Sequence, residues 1–219
     1  GRARQLAFNK CRGDFITFLD TDDLWSKNKL KMQINKFKSN NKIDVLYGKY
    51  FILKNNISYK RQYKKLIKGK CKEEIILSYI DGKPYTAWLT LMIKKKAINS
   101  LKYAFDKNLH IASDFDLILR LSNFCYFDYS NIYFGFYRIH LKNESVRNKY
   151  SEIKELVYIF KKIKNDPINK KNLKVIKFVD KLYLKKFLLD KIKNIKSNIN
   201  FSMIKKNHYK IIYLFVNIL

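Results

Sequence analysis

The sequence predicts an α/β fold, a mixed sheet flanked by helices, with a helical C-terminal appendage. Three observations carry that expectation. Strand-like and helix-like segments alternate up to about residue 147. Residues 15–19, FITFL, form a short continuous apolar run with Gly13 before it and acids behind it. That is the pattern of a strand covered on both faces, as in a parallel sheet. From residue 151 the texture changes to long, Lys-laced amphipathic segments without a strand pattern.

The elements follow in order. Residues 2–11, RARQLAFNKC, place Ala3, Leu6, Ala7 and Cys11 on one helical face, and Gly13 ends that helix. The FITFL strand comes next. Residues 27–39 carry Leu30, Ile34 and Phe37 at helical spacing. IDVLYGKYFIL (43–53) reads as a strand with a bulge at Gly48. The basic stretch 54–72 reads as loop or mixed structure, EEIILSYI as a short helix, DGKP (81–84) as a turn and AWLTLMI (87–93) as another strand. SDFDLILRLSNF (113–124) reads as a helix with Ser113 at its N-cap and Leu117, Ile118 and Leu121 as its buried stripe. FCYFDY and IYFGFYRIH are two further strands. SEIKELVYIFKKIK and LKVIKFVDKLYLKKFLLDKIKNI are long helices with Pro167 between them. Two regions result, 1–147 and 151–219.

Bulk composition narrows the classes. With 47% hydrophobic and 16% aromatic residues over 219 positions, the chain can bury a sizeable core and is not disordered overall. Its 47 Lys and Arg against 18 Asp and Glu give a formal net charge of +29, which favours anionic partners. Most of that excess is Lys spread along the whole chain beside Asn and Ile, a compositional bias more than a focused patch. Cys11, Cys71 and Cys125 are odd in number, far apart and without a CxxC pair, so reduced thiols in a cytoplasmic protein are expected. No apolar run approaches the roughly 18 residues of a spanning helix, and IIYLFV (211–216) is far too short.

The acids behind FITFL carry the chemistry. In open α/β sheets ligands bind outside the carboxyl ends of the strands, which is where Asp20, Asp22 and Asp23 stand. Three carboxylates this close repel one another unless something positive holds them. Mg²⁺ or Mn²⁺ is commonly held by one or two carboxylates plus substrate phosphates. The cluster therefore reads as a metal-bridged diphosphate site. It reads equally as a polar turn capping the next helix, with Asp23 or Ser26 as the cap.

The segment ARQLAFNKCRGDFITFLDTDDLWSKNKLKMQ resembles the family 2 glycosyltransferases of the GT-A fold, a Rossmann-like sheet that binds nucleotide-diphospho-sugars. FDKNLHIASDFDLILRLS is similar to that family's FDE…ED-Y/W-DL-x-L-R segment, and YFGFYRIH to its closing Y-R-x-H strand. The matches keep the family's order and cover about residues 1–147. The resemblance implies a metal-dependent, inverting, non-processive transferase in cell-surface polysaccharide, lipopolysaccharide or glycan biosynthesis. Its partners would be a nucleotide-diphospho-sugar donor and a glycan or lipid-linked acceptor, with Mn²⁺ or Mg²⁺ as cofactor. Asp20, Asp22 and Asp23 match the DxD region, with Asp22 and Asp23 as the metal ligands. Asp114 matches the presumed general base. Arg4, Arg138 and His140 fall near the donor. Trp88 and Asp116 fall on the acceptor side.

Plainer roles stand beside these. An Asp in a first helical turn is stabilised by the helix dipole, which lowers its pKa and makes it a poorer base. Ser113 stands where the family has Glu, and is a good N-cap. Trp25 and Trp88 are also packing residues. The family's first strand, of the V-I-I-P-x-Y-N kind, and the acid after its second strand have no counterpart here, so an N-terminally truncated chain is expected. Two rival classes remain. A haloacid-dehalogenase-like phosphatase also places D-x-D after a strand, but continues with Gly and Thr or Val, where Asp23-Leu24-Trp25 follows here. A basic nucleic-acid-binding protein needs stacking aromatics on a basic face, whereas these aromatics lie in core-facing runs, so no nucleic acid is expected. The Lys-rich C-terminal helices allow peripheral docking on an anionic membrane surface, the inner face for a cytoplasmic protein, or simply present a solvated face.

Overall fold

The computed structural model describes residues 1–192 apart from 64, 65, 83, 142, 144–146, 164 and 165. The chain divides into two compact units, Gly1–Leu109 with Ser113–Asn143, and His110–Ala112 with the chain from 144 onward. The first unit contains α1 (Arg2–Lys10), β1 (Phe15–Thr17), β2 (Leu24–Trp25), α2 (Lys29–Ser39), β3 (Val45–Lys54), β4 (Ile57–Lys60), α3 (Lys72–Ile80), β5 (Met92–Lys94), α4 (Lys95–Asn99), α5 (Ser113–Leu121) and β6 (Phe127–Arg138). One sheet runs β1-β5-β3-β6-β2, with β4 paired to β3. β3 and β6 are parallel, and the other pairings are antiparallel. The mixed α/β fold expected from the sequence is present.

Local chemistry explains where single elements depart from expectation. FITFL is not a strand with parallel neighbours. β1 ends at Thr17 and pairs antiparallel with β5. Phe18 leaves the strand to stack on Trp88 at 3.7 Å, so the apolar run is continuous because its end serves a loop. AWLTLMI splits: Trp88–Thr90 is a 3₁₀ turn in which the Thr90 hydroxyl donates to Ala87 O (2.8 Å), and only Met92–Lys94 is strand. The basic stretch holds a hairpin, since Asn55 and Asn56 both take positive φ (49° and 61°), as a type I′ turn requires. The two aromatic strands expected near the end are one, β6, whose register on β3 shifts after Gly48, at the expected bulge. The apolar face of α1 is not buried: Leu6 is 67% exposed, and α1 is held by polar contacts such as Phe105 N–H to Gln5 Oε1 (2.8 Å).

Phe37, Ile43, Leu46 and Met92 form a core cluster, with Phe15 and Ile34 packed against it. The inward face of α2 is Lys29, Gln33 and Phe37, while Leu30 is exposed. Gln33 Nε2 donates to Thr90 O (2.8 Å). Lys29 is 1% exposed, donates to Thr17 Oγ1 (2.6 Å) and lies 4.3 Å from the Trp25 ring centroid. Burial pushes its pKa down to about 7. Below that pH the folded protein carries a buried ammonium. Between about 7 and the ordinary lysine value the unfolded chain binds more protons, so stability rises with pH there. Lys29→Met is therefore expected to raise the unfolding free energy most at pH 6, with the gap to wild type closing by pH 10. Urea titrations at the two pH values check this, and a pH-independent gap contradicts it.

The second unit is a helical hairpin of α6 (Lys149–Lys162) and α8 (Leu173–Ile192), joined through the short α7 (Pro167–Lys171), in which Pro167 takes the first helical position. Phe160 meets Phe178 edge-on at 5.6 Å. Asp190 is fully buried, accepts from Lys186 Nζ (2.6 Å) and from the Tyr150 hydroxyl (2.8 Å), and so fixes the pairing of the two helices. The end of the long Lys-laced segment after Ile192, and IIYLFV, lie outside the described residues. Among the described residues no helix is long and apolar enough to cross a membrane.

Candidate active site

The loop between β1 and β2 carries the three acids. A turn closed by Asp23 N–H to Asp20 O (3.0 Å) sets it, and β2 pins its far end to β6 through Leu24 opposite Phe136 and Trp25 opposite Gly135. Gly135 is required there. A Cβ would collide with the Leu24 main-chain oxygen and come within 2.6 Å of Leu89 Cδ1. Gly135→Ala is expected to cost about 1–3 kcal/mol of stability, as overpacked core sites do, and to displace the acid loop. Denaturant unfolding together with nucleotide binding checks both effects.

Each acid has its own partner. Asp20 Oδ1 accepts from Arg4 Nη2 (3.3 Å). Asp22 Oδ2 lies 3.0 Å from His140 Nε2 and accepts from Asn143 Nδ2 (3.2 Å), with both Asp22 and His140 about one-third exposed. Asp23 is only 6% exposed, and its Oδ1 accepts the Arg138 main-chain N–H (2.9 Å). Burial pushes its pKa up to about 6, against the lowering effect of that N–H, and Asp22 and Asp20 add to the rise. Asp23 thus acts as a strut between the loop and the end of β6. Arg138 contributes its main chain: N–H to Asp23 and C=O to Asn143 (3.2 Å). Asn143 was not singled out from the sequence. Its amide oxygen also accepts the His140 main-chain N–H (2.6 Å), so Asn143 links the end of β6 to Asp22. The Y-R-x-H-x-x-N spacing was its only signal.

α5 brings Asp114. The dipole argument predicted a lowered pKa. Burial outweighs it and raises the pKa, with Arg4 opposing and Asp20 adding. Asp114 Oδ1 accepts the Phe115 N–H (2.8 Å). Ser113 is the first residue of α5, and its hydroxyl is taken by Arg4 Nη1. Arg4 therefore ties the acid loop to the start of α5, with its guanidinium 5.2 Å from the Trp88 ring centroid. Asp114 opens on a cavity of about 60 Å³ lined by Tyr79, Pro84, Thr86, Trp88 and Phe115. Trp88 is both stacked on Phe18 and part of that wall. Asp116 does not line it. It is 3% exposed and holds Arg120, whose Nε is 2.8 Å away and whose other nitrogens donate to Tyr103 O and Ala104 O.

Among the described residues no three His, Cys, Asp or Glu side chains gather as a metal cage. A hard cation bridged to a diphosphate needs no such cage. The carboxylate of Asp22 beside the imidazole of His140, both partly open to solvent, suits one cation. Asp23, buried under Arg138, suits it less.

The mixed sheet carries an acid loop at a strand end and a carboxylate heading a neighbouring helix, and solved structures of the GT-A type share this fold. Two crystal structures of Staphylococcus aureus TarS share the fold: one of residues 1–349 (TM-score 0.55, 16% identity, 91% of this chain, 55% of that one), the other with TM-score 0.51 (16% identity, 87% and 31%). Residues 1–102 match the sequence model of glycosyl transferase family 2. It is 30% identical over 174 residues to the uncharacterised glycosyltransferase MJ1057 of Methanocaldococcus jannaschii, covering 78% of this chain and 57% of the relative. It is 32% identical over 122 residues to the Escherichia coli UDP-Glc:alpha-D-GlcNAc-diphosphoundecaprenol beta-1,3-glucosyltransferase WfgD, covering 47% of each. The chain spans about half the length of these relatives.

Proposed function

We propose that the protein transfers a sugar from a nucleotide-diphospho-sugar to an acceptor hydroxyl with inversion at the anomeric carbon. Asp114 takes the proton of the acceptor hydroxyl as its oxygen forms the new bond to the anomeric carbon. The bond from that carbon to the diphosphate oxygen breaks, and the nucleoside diphosphate leaves with the electron pair. The observation that carries this reading is Arg4, which contacts both the acid loop and the residue before Asp114, and so ties the donor side to the base. Mn²⁺ or Mg²⁺ would be held by Asp22 and His140 and would supply charge stabilisation to the departing diphosphate. Arg4, as a fixed cation, adds to that stabilisation. The cavity beside Asp114 takes the acceptor, with Trp88 and Tyr79 as apolar wall.

Residues 1–147 form the transferase domain in this reading, and 151–219 its helical appendage. The name of the E. coli relative supports a lipid-linked acceptor and a role in glycan assembly at a membrane surface. Calorimetry of the full-length protein with a panel of nucleotide-sugars and Mn²⁺ tests the reading. One donor is expected to bind in a metal-dependent manner. Binding of none, or equal binding in EDTA, contradicts it.

A further inference from the structure

Glu155 on α6 is used by nothing in the mechanism above, yet its carboxylate is heavily engaged. Its Oε1 accepts the main-chain N–H of His110 (2.9 Å), and its Oε2 accepts those of Ile111 (2.9 Å) and Ala112 (2.8 Å). Three consecutive N–H groups aimed at one carboxylate form a charge-assisted clamp. The clamped residues run directly into Ser113 and Asp114, the first turn of α5. Ala112 is buried, so the segment enters the helix without freedom to drift. Glu155 is itself fixed, because Leu156, Val157, Ile159 and Phe160 of the same helix are buried.

We propose that Glu155 is a positioning residue for Asp114. Its carboxylate holds residues 110–112, and through the chain sets where the carboxylate two residues later can stand. The inference rests on the reading of Asp114 as the base. Chemistry favours Glu at this position over Gln. A carboxylate offers acceptor sites to all three N–H groups, whereas an amide turns its NH₂ toward one of them.

The test uses full-length protein, Mn²⁺ and a panel of UDP-sugars that includes UDP-glucose (the donor named for the E. coli relative), reading UDP release with water as acceptor. UDP affinity is read separately by calorimetry. Glu155→Ala is expected to lower kcat about 10²-fold, the loss typical of a reacting group displaced by about 1 Å. The donor KM and the UDP Kd should stay within about twofold, because Arg4, Asp22 and His140 are untouched. Glu155→Gln preserves the packing volume and guards against simple unfolding. It should fall between wild type and Glu155→Ala in kcat. Hydrogen exchange, which needs no turnover, should show faster exchange at amides 110–112 in both variants and unchanged exchange in α1. An unchanged kcat in Glu155→Ala overturns the positioning role, as does a kcat loss matched by an equal loss of UDP affinity. If wild type releases no UDP from any donor, the reading of Asp114 fails and the positioning role falls with it, whatever exchange shows at 110–112.

Discussion

Asp114→Asn is expected to lower sugar transfer by about 10²–10⁴-fold, the range for a lost general base, while leaving donor binding within about twofold. Asn is nearly isosteric. Its carbonyl oxygen can still accept the Phe115 N–H that Asp114 accepts, so the start of α5 is kept. What it cannot do is take a proton. The pH dependence sharpens the test. Burial raises the Asp114 pKa above the usual carboxylate range. A base works in its ionised form, so kcat/KM should climb as pH rises through that raised pKa and level off above it. The acid limb should vanish from the residual activity of Asp114→Asn. Rate profiles from pH 4 to 9 for both proteins check this, and an acid limb that survives the substitution assigns it to another group.

The second large effect belongs to Asp22. Asp22→Asn is expected to weaken Mn²⁺-dependent donor binding by about 10²-fold or more, beyond the 10–100-fold typical of losing a supporting residue around a metal. His140→Ala should follow it, because the two side chains face one another at 3.0 Å. Asp23→Asn should differ. The Asp23 carboxylate already holds the Arg138 N–H in a buried position, and an amide oxygen can do the same. Its donor affinity should fall less than tenfold. Titrating each variant with UDP in Mn²⁺ and in EDTA separates the cases. Equal losses for Asp22→Asn and Asp23→Asn would show that both acids bind the cation.

Much of this site is legible in the sequence because its groups travel in compact motifs. The acids behind FITFL, Asp114 at the head of α5 and His140 at the end of β6 are all local patterns, and the bulge at Gly48 follows from one glycine in an apolar run. What the sequence hides depends on distant partners. Lys29 and Gln33 look like the solvent side of a helix, yet both are buried because Thr17 and the Thr90 carbonyl accept from them. Asp116 reads like a site residue because it sits beside Asp114, but Arg120 one turn later claims it. The dipole argument for Asp114 names a real effect and misses the larger one, since burial of the carboxylate comes from the tertiary fold and outweighs it. Glu155 lies some forty positions from the residues it holds, and no local pattern announces it.

The central claim is transfer by a single displacement at the anomeric carbon, and the first-formed sugar anomer tests it without knowledge of the acceptor. Full-length protein with UDP-α-glucose and Mn²⁺ is followed by ¹H NMR as water takes the acceptor's place. The account predicts β-glucose as the initial product, with α-glucose appearing only later by mutarotation. Release of α-glucose first would contradict it.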